Sequence, residues 1–438
     1  MNALAQYIQT LAPQLRAWRR DFHHFAESGW VEFRTAAKVA EILASLGYEL
    51  AMGRDVVDAE SRMGLPDDAT LSREFARARA QGAPEKWLAP FEGGFTGIVA
   101  TLNTGRPGPT LAFRVDMDAL DLSEALDDSH RPFRDGFASC NPGMMHACGH
   151  DGHTTIGLGL AQVLKQHEAQ LNGTIKLIFQ PAEEVPPGGA RELVEKGVVD
   201  DVEKIFGLHV FPTSPTGKIT LKEGVYVASS DNFDITLFGQ GGHGSMPQFC
   251  IDPVVIGAEV VTALQNVVAR NLDPINAPVL TIATFQAGDS YNVIPDSARL
   301  AGTVRTHNQQ VREQVPQLMQ RIVEGVVSAH GARCEIRWQQ GYAVGNNHAE
   351  TNAIAKAAMA AHFGEGTLQL ADRALFGSED FSSYQEKVPG TFLFIGCGNE
   401  EKGAVWNVHN PHFRIDEAAL AVGVKTHVAL VSSLFEEI

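Results

Sequence analysis

The chain of 438 residues has few cysteines, fewer basic than acidic side chains and no long apolar run, and each scarcity excludes a class of protein. Its five cysteines are scattered and odd in number, so we expect no disulfide framework and predict a cytoplasmic, reducing location. Lys and Arg number 35 against 52 Asp and Glu, a net charge of −17, which argues against nucleic-acid or anionic-membrane partners. No stretch approaches the roughly 18 apolar residues of a membrane span, and residues 1–22 have no apolar core of the kind found in signal peptides.

What is present is the composition of an ordinary globular protein, with apolar runs alternating with helical patterns. The runs at 174–180 and 391–398 are continuously apolar, and 97–115 contains two more strands joined by a Gly/Pro turn. Such strands are buried on both faces of a sheet, with chemistry placed in the loops beyond their carboxyl ends. We therefore expect an α/β fold.

The middle of the chain follows a different pattern. Apolar and polar residues alternate from 231 to 240, and two helical stripes and further strands follow in the order β-α-β-β-α-β. This predicts an inserted α+β domain at 225–339 within a larger domain formed by 1–224 and 340–438. Residues 51–90 are polar, contain one helical piece and look like an excursion from the core.

The stretch MHACGHDGH (145–153) collects three histidines and a cysteine. Cys148 and His150 are one residue apart, so on a loop both can reach one point, and thiolate with imidazole is a preferred ligand pair of Zn²⁺ and similar metals. A Cys/His nucleophilic pair is the opposed interpretation, although no oxyanion hole accompanies it. A chance loop composition is the third.

Further candidate ligands stand near the ends of predicted strands. Glu183 and Glu184 end TIKLIFQPAEE, where one carboxylate can hold a metal while the other takes a proton from water, unless both merely face solvent. His209 lies in an apolar segment, where a packed histidine is the commoner explanation. His409 lies with a second histidine in a Pro-containing loop. Asp116 and its neighbour Asp118 can orient a ligand or cap a turn.

The motifs together resemble one family. They are RRDFHHFAESGWVEFRT (19–35), FRVDMDAL, MHACGHDGHTT, FQPAEE, GLHV, GQGGHGSMP, NVIPDSARLAGTVRT, GSEDFSSY and HNPHF. In this order they resemble the co-catalytic metallo-amidohydrolases related to aminoacylases, a family that includes hippurate hydrolases, indole-acetyl-amino-acid hydrolases and one component of p-aminobenzoyl-glutamate hydrolase.

The resemblance implies a fold and a set of roles. The fold is a zinc-peptidase-like α/β catalytic domain, a mixed sheet flanked by helices, with an inserted ferredoxin-like lid that mediates dimerisation. Two divalent ions, Mn²⁺ or Zn²⁺, are implied. By the same resemblance Glu183 is the general base and His243 of GQGGHGSMP stabilises the oxyanion. The remaining residues are implied as metal ligands, Cys148, His150, Glu184, His209 and His409, and as substrate-binding residues, Asn292 and Arg305.

The expected activity is hydrolysis of an N-acyl-L-amino acid. The long 51–90 segment and the first half resemble the p-aminobenzoyl-glutamate hydrolase component, which implies an aromatic acyl group on an acidic amino acid, as in indole-3-acetyl-aspartate or p-aminobenzoyl-glutamate. One departure is Ala26 before Glu27, where the family usually has Pro.

The alternatives are a hippurate-type or general N-acyl-amino-acid hydrolase, a non-catalytic partner subunit on the same fold, and a cysteine hydrolase. A homodimer through the lid or a heteromer with a related subunit is expected. The glycines of GQGGHG do not form a phosphate loop, because the Lys and Ser/Thr of that motif are missing.

Overall fold

The computed structural model describes residues 2–434. Within them the α-helices are α1 (Asn2–Thr10), α2 (Ala12–His24), α3 (Phe33–Ser45), α4 (Asp68–Ala80), α5 (Glu85–Leu88), α6 (Arg131–Arg134), α7 (His150–Gln166), α8 (Ala190–Glu195), α9 (Pro253–Arg270), α10 (Gln309–Ala329), α11 (Ala349–His362), α12 (Ser382–Gln385) and α13 (Ala418–Leu434). None of these described helices combines the length and apolar character needed to cross a membrane.

The strands of the same residues are β1 (Glu49–Met52), β2 (Ile98–Asn103), β3 (Thr110–Asp116), β4 (Thr174–Gln180), β5 (Lys204–Pro215), β6 (Ile219–Leu221), β7 (Gly224–Val227), β8 (Ser230–Phe238), β9 (Gly242–His243), β10 (Val279–Ala287), β11 (Val293–Ile294), β12 (Ser297–Arg305), β13 (Arg333–Tyr342), β14 (Gly345–Asn347), β15 (Leu368–Leu370) and β16 (Gly390–Gly398). The chain forms two compact units. The second contains Val225–Gly345 and Ala374–Glu379, and the first contains the rest.

The first unit is built on a mixed sheet with the strand order β1-β2-β4-β3-β5-β16-β6-β15. The predicted α/β class is confirmed, and the central strands β3, β4, β5 and β16 run parallel. Strands β2 and β3, which flank the Gly/Pro turn, are not neighbours because β4 lies between them. In the register of β3 with β4, Asp116 is opposite Gln180, so the carboxyl ends of these two strands meet at one edge. Arg114 is opposite Gly207, and β5 continues past this edge to Pro215.

Helix α7 is the central helix of this unit. All its residues from His150 to Leu164 are buried except the half-buried Gln162, because the helix packs against β3, β4 and β5 and against α2 and α13. The packing depends on small residues. A Cβ at Gly157 would lie 2.8 Å from Val115 Cγ2 and 3.0 Å from the Phe179 ring. The helix therefore holds its first turn, which begins at His150, firmly against the edge of the sheet.

The second unit has the predicted β-α-β-β-α-β order, with β8, α9, β10, β12, α10 and β13. Its antiparallel sheet has the order β10-β12-β8-β13. Alternate residues of β8 are buried, and they pack with apolar residues of α9 and α10 into a separate core. A two-stranded pair of β9 and β11 is added to this plan, with His243 opposite Val293.

The bounds of the second unit differ from the predicted 225–339 at the carboxyl end. Strand β13 continues the sheet to Tyr342, so the unit runs on to Gly345. A short segment at 374–379 also belongs to it, because Leu375 donates its backbone N–H to Tyr226 O. That segment has no apolar periodicity of its own. The assignment of one unit as catalytic and the other as a lid stays a prediction.

Candidate metal centre

The first candidate ligands flank a glycine at the start of α7. Gly149 has φ 91°, a backbone conformation that side chains disfavour, and a Cβ there would lie 2.5 Å from Val210 Cγ2. The turn places the buried Cys148 just before the helix and the buried His150 at its first residue. Cys148 and His150 therefore enter the site from one tight turn.

His209 faces Cys148 from strand β5. Its Nε2 lies 3.2 Å from Cys148 Sγ, and its Nδ1 lies 2.6 Å from Val210 O. Since a carbonyl can only accept, Nδ1 carries the proton and Nε2 keeps its lone pair towards the thiol. A histidine oriented in this way through its other nitrogen is typical of metal ligands.

His150 is oriented in the same way, here by a carboxylate partner. Its Nδ1 lies 3.2 Å from Asp118 Oδ1, whereas its Nε2 is buried and makes no hydrogen bond to a described residue. Glu184 Oε1 is 3.9 Å from that Nε2. A buried nitrogen without a hydrogen bond is costly unless another group, such as a cation, uses its lone pair.

The carboxylates of the site come from the turn after β4. Asp118 Oδ2 accepts the backbone N–H of Glu184 at 2.8 Å, so Asp118 orients both this turn and His150. Asp118 thus contacts both a candidate ligand and a turn amide, and its role in orienting ligands stays a prediction. Glu184 Oε1 lies 3.2 Å from Nε2 of His409, and His409 is fixed by its backbone N–H to Ala147 O at 2.8 Å.

Five triads of donor atoms in the described residues lie close enough for a metal ion, with atoms within 4.8 Å of one another, and three of them consist of predicted site residues alone. One is Cys148, His150 and His209, and another is Cys148, Glu184 and His409. Cys148 belongs to both. The third triad is His150 with Glu183 and Glu184, which places Glu183 beside the same positions. The five predicted ligands and the predicted base therefore occur together.

The donor set fits a pair of divalent cations. Sulfur, imidazole and carboxylate donors are those that Zn²⁺ and its neighbours accept, and the buried Nε2 of His150 is available to an ion. The alternative triad of Asp116, His150 and His153 does not fit. His153 uses Nδ1 on Asp116 at 2.5 Å and Nε2 on the Val210 N–H at 2.8 Å, so neither nitrogen remains.

The electrostatics of the site favour a positive charge within it. Burial raises the pKa of the Cys148 thiol well above its ordinary value, and the carboxylates of Glu184 and Glu183 raise it further. Burial disfavours the charged form of His150, but the carboxylates around it, Asp116 first, outweigh this and raise its pKa to about 10. A bound divalent cation supplies the compensating charge and favours the thiolate and the neutral imidazole.

A buried network behind the site escaped the sequence reasoning. Arg114 donates to Asp116 at 2.6 Å and to Asp380 at 2.6 Å, and all three are fully buried. Asp116 in turn holds His153. Asp380, in the GSEDF segment, accepts from Gln180 Nε2 at 2.6 Å with its other oxygen. In the sequence, this network is indicated by Arg114, an arginine inside the buried strand β3.

The remaining predicted residues belong to the second unit. His243 is exposed, and its Nδ1 accepts the backbone N–H of Ser245 at 3.1 Å, so the proton of a neutral ring is on Nε2. Asn292 lies beside it, since its carbonyl accepts the Gly244 N–H at 2.8 Å. Arg305 is the last residue of β12, at the end of the strand far from Asn292, and contacts Ser378 Oγ at 3.2 Å. The unit therefore brings His243 and Asn292 together and places Arg305 apart from them.

Known proteins are similar to this chain in sequence and in fold. The model of "Peptidase family M20/M25/M40" matches residues 112–433. The chain belongs to peptidase family M20/M25/M40. It is 46% identical over 438 residues to indole-3-acetyl-aspartic acid hydrolase of Enterobacter agglomerans, covering 97% of each chain. It is also 46% identical over 432 residues to one of the named subunits of p-aminobenzoyl-glutamate hydrolase from Escherichia coli (strain K12), again with 97% of each covered.

The M20 assignment extends to solved structures. A crystal structure of the Bacillus subtilis YXEP protein, described as a dinuclear metal binding peptidase from the M20 family, superposes with a TM-score of 0.76. It is 32% identical and covers 98% of this chain and 100% of its own. The chain is therefore a hydrolase of the M20 family with that family's fold.

Proposed function

We propose that the protein hydrolyses the amide bond of N-acyl-L-amino acids, with an aromatic acyl group on an acidic amino acid. The carrying observation is the pair of donor triads that share Cys148, with Glu183 beside them. The substrate class is supported by two relatives at 46% identity, whose names specify indole-3-acetyl-aspartic acid and p-aminobenzoyl-glutamate. Both compounds combine an aromatic acyl group with an amino acid that has a second carboxylate.

In the proposed centre Cys148, His150, Glu184, His209 and His409 hold two divalent ions, Mn²⁺ or Zn²⁺. When bound, these ions supply Lewis acidity to the amide carbonyl and to the attacking water. Asp118 keeps His150 and the turn of Glu184 in place through its two oxygens.

Proton transfer is assigned to Glu183. Its carboxylate takes a proton from the attacking water and gives it to the leaving amine nitrogen, which returns the base to its ionised form. The oxyanion that forms at the former carbonyl needs a donor, and the Nε2–H of a neutral His243 is one. Arg305 offers a fork of N–H groups to a substrate carboxylate.

A homodimer follows from the same assignments. In the second unit of a single chain, His243 and Asn292 lie beyond the Ser297 end of β12, whereas Arg305 is the last residue of that strand. The nine residues of β12 span roughly 30 Å. A small acylated amino acid does not bridge that length. If both groups contact substrate, a second copy supplies one of them.

The surface for such a pairing is the edge strand β10. Its nine residues contain no charged side chain, and Val279, Thr281 and Phe285 are exposed. The opposite edge, β13, has Arg333, Glu335 and other charged side chains, which disfavour pairing with another strand. A heteromer is the second candidate, because one relative is named as a subunit of its enzyme.

The proposed function is tested by release of free amino acid from indole-3-acetyl-aspartate, p-aminobenzoyl-glutamate and hippurate, with added Mn²⁺ or Zn²⁺ and with chelator. We expect turnover that needs metal, prefers the two acidic substrates and falls by several orders of magnitude in Glu183→Ala, since the variant has no base. The exposed Glu195→Ala, twelve positions along the chain, serves as the matched control.

Equal rates with and without chelator would contradict the metal mechanism. Preference for hippurate would move the substrate to the general N-acyl-amino-acid class. If the folded, metal-loaded protein cleaves none of the three, the heteromer or a non-catalytic role becomes the explanation.

A further inference from the structure

The turn that carries Glu183 and Glu184 is held in a strained backbone conformation. Ala182, which precedes Glu183, has φ 54°. This left-handed region is disfavoured for any residue with a Cβ, so the surrounding structure must stabilise it. Ala182 is fully buried, which means that its backbone N–H also needs a partner within the protein.

That partner is the side chain of Glu32. Glu32 Oε1 accepts the Ala182 N–H at 2.7 Å, and Oε2 accepts the hydroxyl of Thr96 at 2.6 Å. Glu32 is fully buried, and no other carboxylate in the described residues contacts the Ala182 N–H. One carboxyl group thus joins the segment before α3 to the turn after β4, about 150 residues along the chain.

Asp118 fixes the turn at a second point, because it accepts the Glu184 N–H at 2.8 Å. Glu32 and Asp118 therefore bind the amides on either side of Glu183. A backbone fixed on both sides leaves Glu183 little freedom beyond its own side-chain torsions.

Packing from the Glu32 segment supports the same turn. A Cβ at Gly29 would lie 3.1 Å from Ala182 Cα and 2.5 Å from Val185 Cγ2. The segment 27–32 is thus in direct contact with residues before and after the two glutamates. This contact and the Glu32 hydrogen bond are separate observations that point to one task.

We propose that Glu32 is a positioning residue for the Glu183–Glu184 turn, and that it sets the placement of the base and of one metal ligand. The inference rests on the proposed function for the role of Glu183. Its metal-binding consequence is independent of any substrate. Glu32 contacts neither substrate nor ion, and acts through the Ala182 amide.

The test compares two variants that keep a similar side-chain length but have no carboxyl or amide oxygen, Glu32→Met and Glu27→Met. Glu27 is a matched control because it is also fully buried and also accepts two hydrogen bonds, from the backbone N–H groups of Arg34 at 3.0 Å and Thr35 at 2.8 Å. It caps α3, and its side chain does not contact the Ala182 turn. Both variants replace a buried carboxyl group that makes two hydrogen bonds, but only the change at Glu32 removes a hydrogen bond to the Ala182 turn.

The first readout is metal affinity, measured with Zn²⁺ by chelator competition and with Co²⁺ by its visible absorption spectrum. Loss of an outer-sphere partner costs about 10- to 100-fold in affinity or activity. We expect such a loss, with an altered Co²⁺ spectrum, in Glu32→Met, and wild-type values in Glu27→Met. Equal affinities and spectra in the two variants would overturn the proposal.

The second readout is the kinetics on indole-3-acetyl-aspartate with saturating metal. Glu32→Met is expected to lower kcat about 10- to 100-fold with KM unchanged, because the base is displaced while the substrate contacts remain. A rise in KM alone would contradict the assignment. If the wild type binds metal but cleaves nothing, the proposed function fails, whereas the metal-affinity comparison still decides the role of Glu32.

A milder pair covers the case in which Glu32→Met does not fold. Thr96→Val removes the hydroxyl that fixes Glu32 Oε2, whereas Thr96→Ser retains it. We expect Thr96→Val to weaken Zn²⁺ binding and Thr96→Ser to restore it. Identical affinities in this pair would show that the orientation of Glu32 does not matter and would overturn the proposal.

Discussion

In the first unit, burial and neighbouring charges displace the pKa values of single residues. Cys148 and His150 have pKa values displaced in the direction that a cation would reverse. Asp151, next in the chain, has a different partner, since its Oδ2 lies 2.7 Å from Arg19 Nε and 2.8 Å from His23 Nδ1, all buried. The adjacent residues His150 and Asp151 thus have different partners: His150 faces the other candidate ligands, and Asp151 binds side chains of α2.

Glu192 gives a prediction at this scale. Its side chain in α8 is buried, neither oxygen makes a hydrogen bond to a described residue, and burial raises its pKa from 4.5 to about 7. A carboxyl with a raised pKa does not cost stability below pH 4.5, where the folded and unfolded forms are both protonated. As the pH rises towards 7 the unfolded chain ionises first, so the native state loses up to about 3 kcal/mol.

Glu192→Gln should therefore raise the unfolding temperature at pH 8 and leave it nearly unchanged at pH 4.5. The exposed Glu195→Gln in the same helix is the control and should change neither value. Calorimetry at both pH values is the measurement. A Glu192→Gln variant with the same unfolding temperature as the wild type at pH 8 would mean that the carboxylate is compensated in the folded state.

Among the elements, α7 links the packing of the first unit to its chemistry. Its first residue is a candidate ligand, and its buried length packs on β4, which Glu184 follows, and on β5, which contains His209. A displacement of this helix against β3 and β4 changes the spacing between His150 and Glu184. The glycines of α7 therefore bear on the site as well as on stability.

Gly157→Ala is the prediction at the scale of elements. The added methyl would approach Val115 and Phe179 to 3.0 Å or less, and overpacking of this kind costs about 1–3 kcal/mol. The matched control is Gly325→Ala in the interior of α10, where a Cβ meets nothing within 4 Å. Alanine there should stabilise the helix by up to about 1 kcal/mol. We expect the unfolding temperature to fall in Gly157→Ala and to rise in Gly325→Ala. A shift of the same sign in both variants would contradict the packing argument.

The whole molecule, as we propose it, works as a pair of chains joined along β10. Thr281→Lys places a charge on this exposed edge strand and should convert the dimer to a monomer. Glu335→Lys on the opposite edge, β13, should leave the dimer intact. Sedimentation velocity distinguishes the two species. A dimer in both variants, or a monomer in the wild type, would remove β10 as the pairing edge.

Much of this molecule could be predicted from its sequence because its signals are local. Cys148-Gly-His150, the Glu183–Glu184 pair and the apolar strands before them are short patterns, and the fold places them at one edge of a sheet. The contact of Glu32 with Ala182 could not be predicted, since nothing near Glu32 in the chain indicates which amide it will meet. The same holds for Arg114 and Asp380, which are 266 positions apart and join only through burial.

The wide spacing of the candidate ligands has a thermodynamic consequence. They lie on four separate segments between Cys148 and His409, so only the folded chain can offer them together. By mass action an ion that binds the folded form alone adds stability that grows with its free concentration, about 4 kcal/mol at a thousand times its Kd. The supply of metal in the surroundings would then set how long each chain survives, and not only how fast it works.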